Sequence, residues 1–318
     1  MPVRPRLSAC FFVPVLFVVL GLLPSSPLRA GGEDLAEAPP PLDSTRLAWS
    51  SLALKGRKLL VSMGVDVRIR PLTERALAQA LVVPPRGRAV AAGGSALLME
   101  YRLKSLRKDL RVRLWLRGGD GAALQRSRLE LTPGEERYKL YRFTEEGIYI
   151  LRRTPRRGEG NRPPQSWGNV AEEFFPYPPG IPGGRVVSDP AALLYFASVD
   201  GLSGPGDAME VLAYFDDELH IVSMRYDGDD GIDADFEARG RNGSRHVRER
   251  RGVRRLVVDS RPLLHDDGDA RLQVIGLGGR PRIFMDRALG IPLALKGRIR
   301  VAGEVTLRLD HLRLADGQ

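Results

Sequence analysis

The chain has 318 residues, a formal charge of +10 and one cysteine, Cys10. Because Cys10 lies within the first thirty residues, disulfides, thiol catalysis and cysteine-bound metal are excluded for the remainder. Arg4, Arg6 and Arg29 lie there too, with no acid, which leaves a moderately basic +7 beyond residue 30; such a charge speaks to solubility and association, not to a site.

Residues 1–30 read as an export signal: Arg4 and Arg6 precede an apolar run from Cys10 to Leu23, closed by Pro24-Ser25-Ser26-Pro27 ahead of Ala30. That run contains Pro14 and is shorter than the ~20 residues a membrane-spanning helix needs. Cleavage is expected near Ala30, which predicts a periplasmic protein with no transmembrane span in the mature chain. Export also argues against a nucleic-acid partner. Residues 31–46 are acidic and proline-rich and predict a flexible leader.

From Leu59 the residues Leu59, Val61, Met63, Val65, Val67 and Ile69 alternate with polar or small ones, the period of a strand with one buried face. Glu74 to Val83 reads as one short helix stopped by Pro84-Pro85. The period of two returns over 97–103 and over 110–116, where Arg111, Arg113, Trp115 and Arg117 take the polar face, and strands continue to Arg153 with turn signals between them. Absence of long helices between strands describes an antiparallel meander.

Composition changes at Thr154. A Pro/Gly/Arg-rich insertion at 154–188, expected to be irregular, carries Trp167, Phe174, Phe175 and Tyr177. These four aromatics fall within eleven residues and at ~150–250 Å² each have reason to dock over the mouth or an edge of the sheet as a lid. Ser188-Asp189-Pro190 then supplies a cap and a first-turn proline for a short helix to Val199. Further strands are expected at 209–215 and 219–226 about an Asp216-Asp217 turn, near 232–238, 253–258, 271–275 and 281–285, and from Ile291 onward. Val305, Leu307 and Leu309 share a phase that Leu312 and Leu314 leave, as a β-bulge would cause.

No motif nominates a catalytic residue. Gly201-Leu202-Ser203-Gly204 fails as a nucleophile elbow at Pro205, and Gly276-Leu277-Gly278-Gly279 lacks the helix of a dinucleotide loop. The acids from Asp227 to Asp235 miss the glycine position of a calcium loop in either register and read, like Asp266, Asp267 and Asp269, as solvated loop. His220, His246, His265 and His311 lack metal-ligand spacing, so neither a metal nor a cofactor is expected. The basic run that includes Arg250, Arg251, Arg254 and Arg255 is a candidate patch for an anionic partner.

The C-terminal third, from SDPAALLYFASV to the ending RIFMDRALGIPLALKGRIRVAGEVTLRLDHL, resembles the exported bacterial proteins catalogued as domain of unknown function 3108. The matching positions are Asp189, Pro292, Gly297 and Gly303. The resemblance implies a periplasmic β-rich protein and transfers no catalytic residue.

Together these readings predict a mainly β fold: a curved, mostly antiparallel sheet or incomplete β-barrel over 47–314, a single domain with one short mid-chain helix. Barrels of this kind commonly enclose an apolar cavity. The expected function is non-enzymatic binding of an apolar or amphipathic envelope ligand such as a lipid or acyl chain. A second reading is an envelope interaction protein that holds a partner protein or an anionic cell-wall polymer. A third, a polysaccharide hydrolase, would need two carboxylates facing each other across a cleft.

Overall fold

Alternation of apolar and polar side chains builds the sheet strand by strand. In the computed structural model Met63, Val65, Val67 and Ile69 are buried while Ser62, Asp66, Arg68 and Arg70 face outward, as the period of two requires. The structure describes residues 41–315 apart from 59–60, 106–107, 180, 182–184, 200, 242, 265–271 and 300–301. The export signal, leader residues 31–40, the start of the first predicted strand at 59–60, and the turn of His265, Asp266, Asp267 and Asp269 lie outside the described residues.

Among the described residues fifteen strands form one sheet. The first half comprises β1 (Trp49–Lys58), β2 (Val61–Leu72), β3 (Ala96–Ser105), β4 (Lys108–Arg117), β5 (Ala123–Leu131), β6 (Arg137–Phe143), β7 (Gly147–Thr154) and β8 (Asn169–Pro176). The second comprises β9 (Val187–Ser188), β10 (Ala208–Phe215), β11 (Glu218–Gly240), β12 (Gly243–Pro262), β13 (Gly278–Asp286), β14 (Pro292–Ile299) and β15 (Gly303–Leu314). Their spatial order is β8-β7-β6-β5-β4-β3-β2-β1-β15-β14-β13-β12-β11-β10-β9, so the antiparallel pair of β1 and β15 joins the two meanders. Among the described residues only β9 with β10 and the far end of β11 with β15 run parallel. That last contact, Glu237–Arg239 against His311–Arg313, closes β11 to β15 into a five-stranded ring. β15 can serve three neighbours because its register on β1 skips Asp310, where the expected bulge falls.

Two short helices cover opposite needs. Helix α1 (Glu74–Ala80), capped by the Thr73 hydroxyl, lays Leu77 on Ala96, Leu98, Trp115 and Leu124. Trp115, expected on a polar face, is therefore buried. Helix α2 (Leu193–Val199) follows a 3-10 turn at Pro190–Ala192, and all seven of its side chains are buried. A helix apolar all round must be enclosed. At two turns it has no stability of its own and depends on that enclosure.

The enclosure is bonded at every side. Asp189 accepts from the Ala191 amide at 2.9 Å and from Arg126 Nη1 of β5 at 2.7 Å, a pair shut away from solvent. Trp49 Nε1 of β1 donates to Ser198 Oγ, and the Tyr195 hydroxyl donates to the Gly118 carbonyl at 2.6 Å. Arg254 of β12 donates to the carbonyls of Ala197 and Leu202 and so satisfies the end of the helix. Gly121, at φ +69, lets the chain pass where any Cβ would meet the Phe196 ring at 2.4 Å.

Four expectations need correction. The stretch 154–188 is not wholly irregular, because β8 pairs with β7 over eight residues and forms the edge of the sheet. Its sequence NVAEEFFP does not alternate because an edge strand with mostly exposed side chains is held by backbone bonds to one neighbour. The acids from Asp227 to Asp235 lie within β11 and not in a loop; at 23 residues and ~3.3 Å each β11 would run about 75 Å if straight, and it breaks at a bulge between Tyr226 and Asp229. Residues 272–277 form a tight buried turn in place of a strand, with Val274 bridged to Leu277 and Ile275 at φ +50. Leader residue Asp43 caps a 3-10 turn at Ser44–Arg46, and the Leu42 amide donates to Gly119, so order begins ahead of Leu47. Among the described residues no helix is long and apolar enough to cross a membrane.

Breaking the pair at the helix start strands a buried guanidinium. Asp189→Ala should destabilise the protein by about 3 to 5 kcal/mol, and Arg126→Met in the same chain should recover part of the loss. Urea midpoints of the two single variants and the double variant check this; additive effects would mean the pair is not coupled.

Candidate functional site

A cavity of about 550 Å³ opens between three pieces of chain that sequence separation keeps apart. One piece is the segment after α1, whose Val90 amide donates to Phe143 O while the Glu145 amide donates to Arg88 O. The second is the Thr144–Gly147 turn between β6 and β7, locked by the Thr144 hydroxyl donating to Gly147 O at 2.8 Å. The third comprises Tyr177, Pro178, Ile181 and Arg185 to Val187, and the Tyr177 amide donates to Glu146 O.

Val90, Ala91, Phe143, Pro178, Ile181 and Val186 give the cleft an apolar wall. Its charged groups are mostly engaged. Arg117 holds Asp120 at 2.6 Å and donates to Ala91 O, Glu145 pairs with Arg88, and Glu146 Oε2 accepts the Arg88 amide at 2.7 Å. The Arg185 guanidinium differs: both terminal nitrogens are shielded from solvent and, among the described residues, neither has a hydrogen-bond partner. Nearby Arg142, also buried, shows the satisfied alternative, with its donors directed to the carbonyls of Val82, Leu124 and Phe143.

A second cavity of about 260 Å³ lies at the start of α2 and is mainly polar. Arg126 is spent on Asp189 and Arg128 on Glu130, while Asp217 pairs with Arg152. Lys139 lines the same space, and burial lowers its ammonium against the pull of Asp217. Burial likewise raises the phenols of Tyr101 and Tyr141. Beside it His220 stacks on Phe215 at 3.8 Å, and burial lowers its imidazole despite Glu218 and Asp216.

The four aromatics of 154–188 dock, but not together. Trp167 is fully buried against Tyr138, Leu140 and Tyr149, with Phe174 beside it. Phe175, the next residue along β8, points to the other face and meets Tyr214 at 5.0 Å. Only Tyr177 lines the larger cleft, where burial raises its phenol. Alternation along β8 therefore splits the expected lid across two faces of a sheet edge.

The basic run is similarly divided. Arg250 faces solvent near Asp233 at 3.5 Å, Arg251 holds Glu249 and buried Asp286, Arg254 caps α2, and Arg255 holds Asp227 at 3.1 Å. Acidic β11 and basic β12 are hairpin partners, with Asp233 opposite Arg250 and Asp235 opposite Arg248. Arg251, Arg254 and Arg255 are thus committed within the fold, while Arg245, Arg248 and Arg250 stay exposed, facing the acidic length of β11 across the hairpin. Among the described residues no group of three or more potential ligands could hold a metal ion.

Sequence reasoning passed over Arg185, Val90 and Phe143. Arg185 carries no periodic signal, and the partners that make it unusual are absent ones.

No family model matches the chain, and no curated protein is similar to it. A solved structure, the beta-barrel-like protein of domain of unknown function DUF1849 from Brucella abortus, is similar over 85% of this chain and 99% of its own, at 7% identity and a TM-score of 0.44. No comparison supports domain of unknown function 3108 specifically; the four positions read from the sequence as matching it each have a structural task here. Asp189 caps α2, and Pro292 opens β14 opposite Met285. Gly297 admits Leu277, and Gly303 takes φ +69 to open β15.

Two consequences can be measured. Arg254→Met should destabilise the protein by about 1 to 3 kcal/mol through the carbonyls it leaves unpaired, whereas Arg250→Gln should leave the urea midpoint unchanged. For His220, stability should be full above pH 6.5, the ordinary value, where the ring is neutral folded or unfolded. Below it the unfolded chain takes the proton more readily and stability falls until the folded-state value is passed. Thermal midpoints of the wild type and His220→Gln between pH 7.5 and 5 should diverge as acid is added; parallel curves would reject the assignment.

Proposed function

We propose that this chain is an exported, non-enzymatic protein whose larger cleft binds the apolar chain of an envelope amphiphile such as a lipid or acyl group. The observation that carries the reading is the apolar wall of Val90, Ala91, Phe143, Pro178, Ile181 and Val186 around about 550 Å³. Small-molecule sites are clefts of ~300–1,000 Å³ that combine apolar walls with placed polar groups, and this cleft has both. Shape and burial suffice for affinity: each methylene transferred from water contributes ~0.8 kcal/mol. The export reading of residues 1–30 directs the search to envelope ligands. The reading as a holder of anionic polymer has less support, since the guanidinium groups of Arg251, Arg254 and Arg255 are committed within the fold.

Neutral n-alkanols of eight to twelve carbons, titrated calorimetrically, should bind about fourfold more tightly per added methylene until the cleft is full. Val186→Trp, which fills the cleft from its wall, should weaken binding at least tenfold without lowering the thermal midpoint. Affinity that does not change with chain length, or a Val186→Trp protein that binds as well as the wild type, would reject the proposal.

A further inference from the structure

We infer that the ligand of the larger cleft is an anionic single-chain amphiphile whose head, a carboxylate or phosphate oxyanion, pairs with Arg185. The inference rests on the proposed function for the chain and adds the chemistry of the head.

The physical ground is a guanidinium whose terminal donors are unpaired. Arg185 Nη1 and Nη2 are both shielded from water and, among the described residues, have no hydrogen-bond partner, although the residue lines a cleft rich in polar neighbours. Several of those neighbours are turned elsewhere. Glu145 and Glu146 are both turned to Arg88, one to its guanidinium and one to its amide. Asp120, next to the cleft, is held by Arg117 through three contacts of 2.6 to 3.0 Å. The Thr144 hydroxyl donates to Gly147 O and accepts from the Gly147 amide. Guanidinium donors taken out of water and left unpaired are costly, and a ligand that completes them recovers that cost.

Arg142 shows how the same fold completes a guanidinium when backbone can do it. Its three contacts are all carbonyls, and one belongs to Phe143, a residue of the cleft wall. Arg185 has no such carbonyls. What fits its paired terminal nitrogens is a planar or tetrahedral oxyanion with two acceptor oxygens, which a guanidinium binds through parallel N–H···O contacts. The apolar wall places a hydrocarbon next to that head, so the ligand carries both. A free fatty acid and a monoacyl phosphate satisfy the geometry equally, and their common chemistry is one oxyanion on one chain.

The test compares heads at fixed chain length. Dodecanoate and monododecyl phosphate should each bind the wild-type protein at least tenfold more tightly than dodecanol, and Arg185→Met should reduce that preference to about one while dodecanol affinity stays the same. In the absence of ligand, Arg185→Met should raise the thermal midpoint, because it removes a shielded charge without a partner. Arg185→Lys, which keeps a point charge but not the fork, should retain a preference between the two. Dodecanol binding as well as dodecanoate would overturn the oxyanion head while leaving the chain reading intact. No binding of dodecanol together with tight binding of inorganic phosphate alone would instead overturn the chain. Binding of dodecanoate to Arg185→Met at wild-type strength would overturn the role of Arg185.

Discussion

The buried pair of Asp189 and Arg126 organises much of what surrounds it. It fixes the start of a seven-residue helix that has no polar face and is too short to persist alone. Once that helix is placed, Trp49, Gly118, Gly121 and Arg254 each meet a particular residue of it, and these come from β1, the turn after β4, and β12. Strands from both halves of the chain are thus referenced to one element. The curvature of the sheet follows, since only a curved sheet can surround a helix buried on every side.

Charge is used in this protein mainly against itself. The Asp-rich length of β11 lies on the Arg-rich length of β12, Asp286 accepts from Arg251 and from the amides of Ala288 and Leu289, and Arg102 and Arg111 converge on Asp109 and hold its carboxyl well below the ordinary range. Exposed pairs of this kind add little stability each but set strand partners, because like charges would face each other in any slipped register. Against that background an arginine with no partner stands out more than any cluster of them. Arg185 is informative for what it lacks.

The cleft lies where the edge of the sheet is least regular. Its walls come from the segment after α1, a β-turn and residues ahead of β9, tied by the backbone hydrogen bonds of Val90, Glu145 and Tyr177. Loops on a rigid scaffold are the usual place for binding groups. Here the scaffold is the enclosed helix and the strands around it.

Local pattern in the sequence was enough to place most strands, the bulge near the end of β15 and the Asp189 cap, because a period of two and a capping residue act over a few neighbours. It was not enough for β8, whose exposed side chains carry no alternation, nor for Trp115, whose outward face is covered by a helix some forty residues earlier in the chain. The same limit divided the candidate residues: Phe174 and Phe175 are adjacent in sequence and opposite in space, and Arg250 and Arg254 share a run but not a role. The composition determined that the core holds without disulfides beyond residue 30 and that the chain is basic. Only the tertiary structure decided which cations have partners, since a salt bridge such as Arg126 to Asp189 forms across 63 residues, and the absence of one at Arg185 is defined by everything that packs around it.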